Sequence, residues 1–358
     1  MDTATRLTLI KQVGEEILTE DELLQLLETK EHPIAYDGFE PSGRIHIAQG
    51  IMRAINVNKM IAAGCKFKMW VADWHAWANN KLGGNLEKIQ NCGKYLIEVW
   101  KATGMDLKNV EFVWANDAIP NRDYWKKVMQ VARNTTVKRI IRCGQIMGRA
   151  EKEILQTSQI FYPTMQCADI FHLKIDICQL GMDQRKVNML AREVGPKLGW
   201  WKPIAVHHHM LMSLEQPLPP GASAIERAIA MKMSKSKPTS AIFMDDSEEE
   251  IKQKIAKAYC PEKVIEENPI IDYCKHIIFQ AFKEIKIERS AKYGGDITIS
   301  SFDELVKIYQ SGELFPLDLK NAVAKYIIEL LKPVKKHFIK NKKAKELYNK
   351  VKSYEVTR

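Results

Sequence analysis

The chain has 358 residues, 46% of them hydrophobic, and its 54 Lys and Arg against 44 Asp and Glu give a formal net charge of +10. That length and apolar content support a buried core divided over two domains, and the charge suits a polyanionic partner without requiring one. The opening MDTATRLTLIKQVGEEIL has no long apolar run, which predicts neither a signal peptide nor a membrane span, and hence a cytoplasmic protein; seven cysteines with no CxxC pair argue against a disulfide framework or a zinc ribbon.

Two short amphipathic helices are predicted first, the second opened by a capping box of Thr19 and Glu22, and together they should cover one side of the fold. The run Pro33, Ile34, Ala35, Tyr36 reads as a strand that feeds a turn containing Gly38, Pro41, Ser42 and Gly43. A helix from His46 to about Ala63 follows, with Ile47, Ile51, Ala54, Ile55 and Met60 at helical spacing and Gly64 as its stop. Such a strand, turn and helix aims free N–H groups and the positive end of a helix dipole at one point, where phosphate binds well. Any parallel α/β sheet offers turns of this kind, so this one alone does not separate a phosphate site from a structural turn.

The next predicted elements are a strand over Phe67–Ala72, a Gly83, Gly84 turn, a helix over Leu86–Ala102 and a strand over Val110–Trp114. Strands alternating with helices of this length predict a parallel sheet with right-handed crossovers. From Arg122 to Leu173 the pattern is helical, an insertion over about 115–173. Alternation resumes with a strand over Ile175–Leu180, a turn at Gly181, Met182 and Asp183, a helix over Gln184–Leu198 and a strand over Ile204–His208. The lysine-rich MKMSKSK, 231–237, closes the α/β part. A boundary near Asp245 divides the chain into 1–245 and 246–358, the second part opening with a Ser247, Glu250 capping box and reading as mainly helical, with an irregular segment at Gly294, Gly295 and Asp296.

Chemistry concentrates in three places. Lys232, Met233, Ser234, Lys235 and Ser236 place two ammonium groups on a short segment of small hydroxyl residues, suited to a triphosphate whose charge shifts during reaction. Tyr162, Gln166 and Asp169 fall at i, i+4 and i+7, on one helix face, among Ile160, Phe161, Met165, Ala168, Ile170 and Phe171. A polar face in such apolar company suggests a lined pocket rather than a solvent stripe. GMDQRK, 181–186, occupies a strand-to-helix turn, where Asp183 and Gln184 would enter the crevice at the carboxyl ends of the strands. His207, His208 and His209 invite a metal, but consecutive strand residues point to alternate faces and no further ligand has usable spacing, so no metal site is predicted.

HIAQ at His46–Gln49 and KMSKS at Lys232–Ser236 resemble the two signature motifs of class I aminoacyl-tRNA synthetases. The family pattern is HIGH, and Gln49 departs from it: an amide can donate to phosphate but cannot be cationic. YDG, YPTMQCAD and GMDQRK further resemble tyrosyl-tRNA synthetases of the archaeal and eukaryotic type, over nearly the whole chain. That resemblance implies a Rossmann-like α/β catalytic domain with a helical insertion and a mainly helical anticodon-binding domain. It implies that tyrosine is activated with ATP to tyrosyl-adenylate, magnesium accompanying the nucleotide, and passed to tRNA(Tyr). Tyr36 and Asp169 would bind the phenol, and Tyr162, Gln166 and Gln184 the ammonium and carboxylate end. ATP would meet Gly38, Ser42, Gly43, His46, Gly181, Asp183, Met210, Leu211, Lys232, Met233, Ser234 and Lys235, with His46, Gln49, Lys232 and Lys235 serving the chemistry.

The same resemblance makes Tyr293 and Phe315 a sandwich for the first anticodon base, with Asp318 hydrogen-bonding it, and Arg142 and Arg185 readers of the first acceptor pair. Without it, Phe315 would be expected in the core. It implies a homodimer formed through the helical insertion, and it makes the lysine-rich tail from Leu331 a phosphate-contacting surface. Tryptophanyl-tRNA synthetase shares the fold and both signatures, but indole has no hydroxyl for Tyr36 and Asp169 to pair. A non-catalytic RNA-binding descendant would not need His46, the lysines and the pocket residues together.

Overall fold

The computed structural model describes residues 1–144, 156–218, 227, 231, 233 and 237–355. The apolar runs read from the sequence become β2 (Ile34–Phe39), β3 (Lys66–Val71), β4 (Val110–Trp114), β5 (Ile177–Cys178) and β6 (Ile204–His207), preceded by a short β1 (Glu16–Leu18). Among the described residues these form one six-stranded sheet in the order β1-β6-β5-β2-β3-β4. β2 to β6 are parallel, and β1 pairs antiparallel with β6. The chain therefore builds outward from β2 to β4, then returns to build β5 and β6 on the other side. The reversal lies between β2 and β5, where Tyr36 is paired with Cys178. A crevice at the carboxyl ends of strands flanking such a reversal is where open α/β sheets bind ligands.

The α/β alternation matches the expectation, with three local differences. β1 was not expected; three residues between two helices carry too little alternation to announce a strand. β5 is two residues long, although Asp176 N–H donates to Ile34 O and Gln179 N–H to Tyr36 O, so this segment tracks β2 beyond its regular part. The helix expected from His46 starts later, as a π-turn over Ala48–Met52 running into α3 (Arg53–Ala62). Its first residues are diverted into an antiparallel contact: Ile47 N–H donates to Ile242 O at 2.8 Å and Met244 N–H to Ile45 O at 3.0 Å.

Of the N-terminal helices, α1 (Thr3–Lys11) is capped by Asp2 and α2 (Glu20–Thr29) by Thr19. Only half of the expected Thr19 box forms, because the Glu22 carboxylate bonds Arg192 and Lys202 instead. Buried Arg6 donates to the carbonyls of Leu27, Lys30, Glu31 and Ala63, satisfying two helix C-termini at once and fixing this cover in place.

The helices that shape the site are α4 (Asp73–Ala78), α5 (Leu86–Ala102), α6 (Ala115–Ala118), α7 (Arg122–Arg133), α8 (Val137–Cys143), α9 (Thr157–His172) and α10 (Arg185–Lys197). One apolar cluster under α7, α9 and α10 contains Tyr36, Trp70, Tyr124, Tyr162 and Phe171. A larger one runs from Ile10 through β3 and α5 to Val351.

Past Asp245 come α11 (Glu248–Lys257), with the Ser247, Glu250 box complete, α12 (Pro269–Tyr273), α13 (Phe302–Ser311), α14 (Pro316–Lys340) and α15 (Lys342–Lys352). The irregular segment proves to be the tip of a hairpin, β7 (Ile285–Ile287) and β8 (Ile297–Ile299). α14 and α15 pack on α5 through Tyr95, Phe338 and Tyr348, and His337 on α14 meets Glu98 on α5 at 2.7 Å.

Candidate active site

α9 is buried along almost its whole length, and its polar face points into the second apolar cluster. Tyr162 and Gln166 retain only 7% and 8% of their exposure and Asp169 none. Burying a carboxylate there is tolerable only with partners. Asp169 has two. Tyr124 on α7 donates its hydroxyl to Oδ1 at 2.9 Å, and His75 Nε2 on α4 lies 2.9 Å from Oδ2, at ion-pair distance but off the hydrogen-bonding direction. The Tyr36 hydroxyl, within electrostatic reach of Asp169, is buried with no hydrogen-bond partner among the described residues. Burial, reinforced by the nearby acidic groups, pushes that phenol well above its usual range, so it stays protonated. Two buried groups able to engage a hydroxyl thus stand among Trp70, His75 and Tyr162, where the phenol end of a substrate slot was expected. Toward its expected other end, one turn earlier on α9, Gln166 donates to the Gln184 side chain at 3.0 Å and Tyr162 hydrogen-bonds Glu40.

Beneath this slot lies a buried polar network that the sequence did not announce. Arg53 Nη2 meets Asp37 Oδ2 at 2.5 Å, its Nη1 donates to Gln179, and both Arg53 and Gln179 contact His208. Burial raises the Asp37 carboxyl to about 7 against the pull of Arg53. Burial next to Arg53 pushes the His208 imidazole well down, leaving it neutral.

The first signature stretch is pinned to the segment that follows the second. Ile45–Ile47 pair with Ile242–Met244, just beyond the lysine loop, through the contacts above and a His46–Phe243 bridge. Arg44 reinforces that seam, binding Asp245 through Nε and Asp246 at 3.0 Å and covering the Phe243 ring. The other flank is held by Ser213 N–H donating to Met231 O at 2.7 Å, and Leu214 N–H donates to Ser240 O at 2.9 Å. The start of HIAQ is thus in direct contact with Ile242–Met244, a segment that follows the lysine loop in sequence. Lys232, Ser234 and Lys235 lie outside the described residues; Met233 between them is buried. Gly43 takes a φ of 111°, which favours glycine over any residue with a Cβ. Ser42 turns its hydroxyl to Glu40 O, and Gln49 Oε1 is buried with no hydrogen-bond partner among the described residues.

Across the crevice, Gly181 is bridged to His208, and Met182 N–H donates to His208 O. A Cβ on Gly181 would sit 2.6 Å from both Asp183 Oδ1 and Met210 Sδ, so a larger residue here would have to displace those two side chains. The Gly181 turn, with Asp183 and Gln184, is thereby joined to His208 and Met210 at the end of β6.

The three histidines do not act together. His207 contacts Glu16 and Asn188, and His208 belongs to the Arg53 network. His209 stacks on His276 at 4.1 Å and lies 2.8 Å from Asp272, which also accepts from Met212 N–H. His209, Asp272 and His276 are the one group of three potential metal ligands among the described residues. Spacing gave no warning of it, because two members lie far downstream on α12 and the π-turn after it. All seven cysteines are free thiols, six of them buried.

At the far end, Arg289 ties two loops together, donating to Gly295 O and Glu313 O, each at 2.8 Å. This brings the turn after Tyr293, where Gly294 and Gly295 both have positive φ, toward Phe315 and the first turn of α14, which holds Asp318. Phe315 is 41% exposed, so reading it as a core residue fails. Arg142 is exposed at the end of α8, whereas Arg185 is bound through Nε to Glu16, 2.9 Å from each oxygen.

Against known proteins, residues 28–332 match the family described as tRNA synthetases class I (W and Y). The chain is 52% identical over 353 residues to the cytoplasmic tyrosine–tRNA ligase 2 of Arabidopsis thaliana, covering 98% of this chain and 46% of that protein. It is 43% identical to the tyrosine–tRNA ligase of Pyrococcus abyssi, covering 98% of this chain and 99% of the relative. The crystal structure of Pyrococcus horikoshii tyrosyl-tRNA synthetase complexed with L-tyrosine superposes with a TM-score of 0.91 at 41% identity, over 98% of this chain and all of that one. The chain belongs to the class I tRNA synthetases and, within them, to the tyrosine–tRNA ligases. It spans about half the length of the Arabidopsis relative and nearly all of the archaeal ones. No helix among the described residues is long and apolar enough to cross a membrane.

Proposed function

We propose that this site activates L-tyrosine with ATP and transfers it to the 3′ end of tRNA(Tyr) in the cytoplasm, with the residue roles that follow. The observation that carries the reading is the buried Tyr36 hydroxyl, without a hydrogen-bond partner among the described residues, within electrostatic reach of buried Asp169 in an apolar cluster. A substrate phenol entering there donates to Asp169 and meets the Tyr36 hydroxyl. Gln166 and Gln184, paired with each other in this structure, exchange that bond for the ammonium and carboxylate of the substrate.

The tyrosine carboxylate then attacks the α-phosphorus of ATP; a P–O bond forms to the amino acid and the bond to pyrophosphate breaks. No side-chain nucleophile is needed. Positioning and charge stabilisation do the catalysis, with Gly38–Gly43 and the Gly181 rim seating the nucleotide and His46, Gln49, Lys232 and Lys235 acting on the phosphates. Magnesium would arrive bound to phosphate oxygens; the two imidazoles of the His209 cluster do not suit so hard a cation. In the second step a ribose hydroxyl of the tRNA attacks the adenylate carbonyl and AMP leaves. Residues 246–358 would hold the anticodon at Tyr293, Phe315 and Asp318, with Arg142 and Arg185 at the acceptor end; Arg185 would exchange Glu16 for RNA.

The lysines act on charge that develops in the transition state. Lys235→Ala should therefore slow single-turnover adenylate formation roughly a hundredfold while tyrosine affinity holds; loss of tyrosine binding instead would remove Lys235 from the phosphate role. The insertion also supports a homodimer, since Trp125, Met129 and Val137 are large exposed apolar side chains on α7 and α8. Met129→Glu combined with Val137→Glu should halve the mass seen by light scattering, and a monomeric parent protein would end that reading.

A further inference from the structure

We propose that His75 is the positioning residue that makes the phenol site selective: it pairs with Asp169 and leaves one carboxylate oxygen able to accept from the substrate hydroxyl. This rests on the assignment of Asp169 to the phenol. The two Asp169 oxygens are used differently. Oδ1 takes an aligned hydrogen bond from Tyr124, whereas Oδ2 faces His75 Nε2 at 2.9 Å without alignment, so it gains the charge and keeps its accepting direction open. Both side chains are 1% exposed, so the oxygen left open there is shielded from bulk solvent and demands a group that donates.

His75 is built to hold this place. α4 begins directly after β3, and Asp73 at its start accepts from Trp74 N–H and Asn116 N–H through Oδ1 and from Gln90 through Oδ2, fixing the helix to the end of β4 and to α5. The imidazole ring stands edge-on to Tyr162 at 5.2 Å and to Trp70 at 6.4 Å, which leaves it little rotational freedom. The carboxylates acting on it are Asp169 on α9, Glu40 beyond β2 and Asp73 on its own helix; against burial, they raise the imidazole above its ordinary value. A buried histidine that merely filled space would need none of this charge.

The test compares the ratio of kcat/KM for tyrosine and phenylalanine in ATP–pyrophosphate exchange for the parent chain, His75→Leu, Asp169→Asn and the double variant. The proposal expects His75→Leu to lower the ratio roughly tenfold or more, and to add little once Asp169 is already Asn. A purely structural role would reduce melting temperature and turnover while leaving the ratio unchanged. If Asp169→Asn lowers the ratio and His75→Leu does not, the inference fails and the phenol assignment stands; if neither lowers it, both fall. Should His75→Leu not fold, 15N NMR of the imidazole in the parent chain decides the matter: an imidazolium at pH 7 supports the proposal, and a neutral ring overturns it.

Discussion

Replacing Asp169 with Asn should cut kcat/KM for tyrosine activation about 10- to 100-fold while affecting phenylalanine far less, so that discrimination between the two relaxes. The substitution preserves shape and removes charge. Asp169 accepts from Tyr124 at 2.9 Å and faces His75 at 2.9 Å, and it can serve a substrate phenol besides. An amide has one acceptor oxygen and a donating nitrogen, so at least one of these donors is left opposite another donor in a sealed pocket. An unmet buried polar group costs about 1–3 kcal/mol, which sets the expected range. Phenylalanine offers no hydroxyl and loses nothing comparable. A site that pairs a hydroxyl rejects the analogue without one, a rule for which tyrosyl-tRNA synthetase is itself the standard illustration. An unchanged tyrosine-to-phenylalanine ratio would take Asp169 out of the phenol site.

Arg53→Met should be the most destabilising single change near the site. Arg53 and Asp37 are buried at 2% and 4% exposure, and breaking such a pair by removing one partner costs about 3–5 kcal/mol. Gln179 and His208 lose a donor at the same time. The effect carries a pH signature. In the folded chain the Asp37 carboxyl is raised to about 7 from its ordinary 3.8, so folding favours the protonated form. The stability this contributes is full below about pH 4 and is lost as pH rises through about 7. Removing Arg53 takes away the cation that pulls this value down, moving the folded value higher still. The melting-temperature deficit of Arg53→Met should therefore shrink between pH 8 and pH 6; an equal deficit at both would mean that Asp37 is not the group responsible.

Much of the fold was legible because long, regular elements declare themselves by period. β3, β4 and α5 fall within a residue of their expected limits, and β2 runs three residues past its expected end at Tyr36. β1 and the β7–β8 hairpin, at three residues per strand, are too short to carry a pattern and are fixed by pairing with distant partners. The late start of α3 has a tertiary cause, since Ile45–Ile47 surrender their backbone to Ile242–Met244.

The site divides in the same way. Tyr162, Gln166 and Asp169 were readable because polar residues at helical spacing stand out against an apolar helix. Tyr124 and His75, which complete the Asp169 environment, looked like ordinary residues of an amphipathic helix and a strand end; only packing brings them to α9. Arg53 was hidden for another reason, as a lone arginine among the polar positions of α3 gives no sign that its partner is a strand residue behind it. The turn at Gly181 was legible by a local rule, the passage from strand to helix, but its close approach to Met210 appears only in three dimensions.

Recognition of a phenol by Tyr36 and Asp169, with delivery of the substrate carboxylate to ATP, is read out by ATP–pyrophosphate exchange on the full chain, run separately with tyrosine, phenylalanine and tryptophan at matched concentrations. Exchange should be rapid with tyrosine, far slower with phenylalanine and absent with tryptophan. Exchange driven by tryptophan alone would overturn the assignment of the substrate.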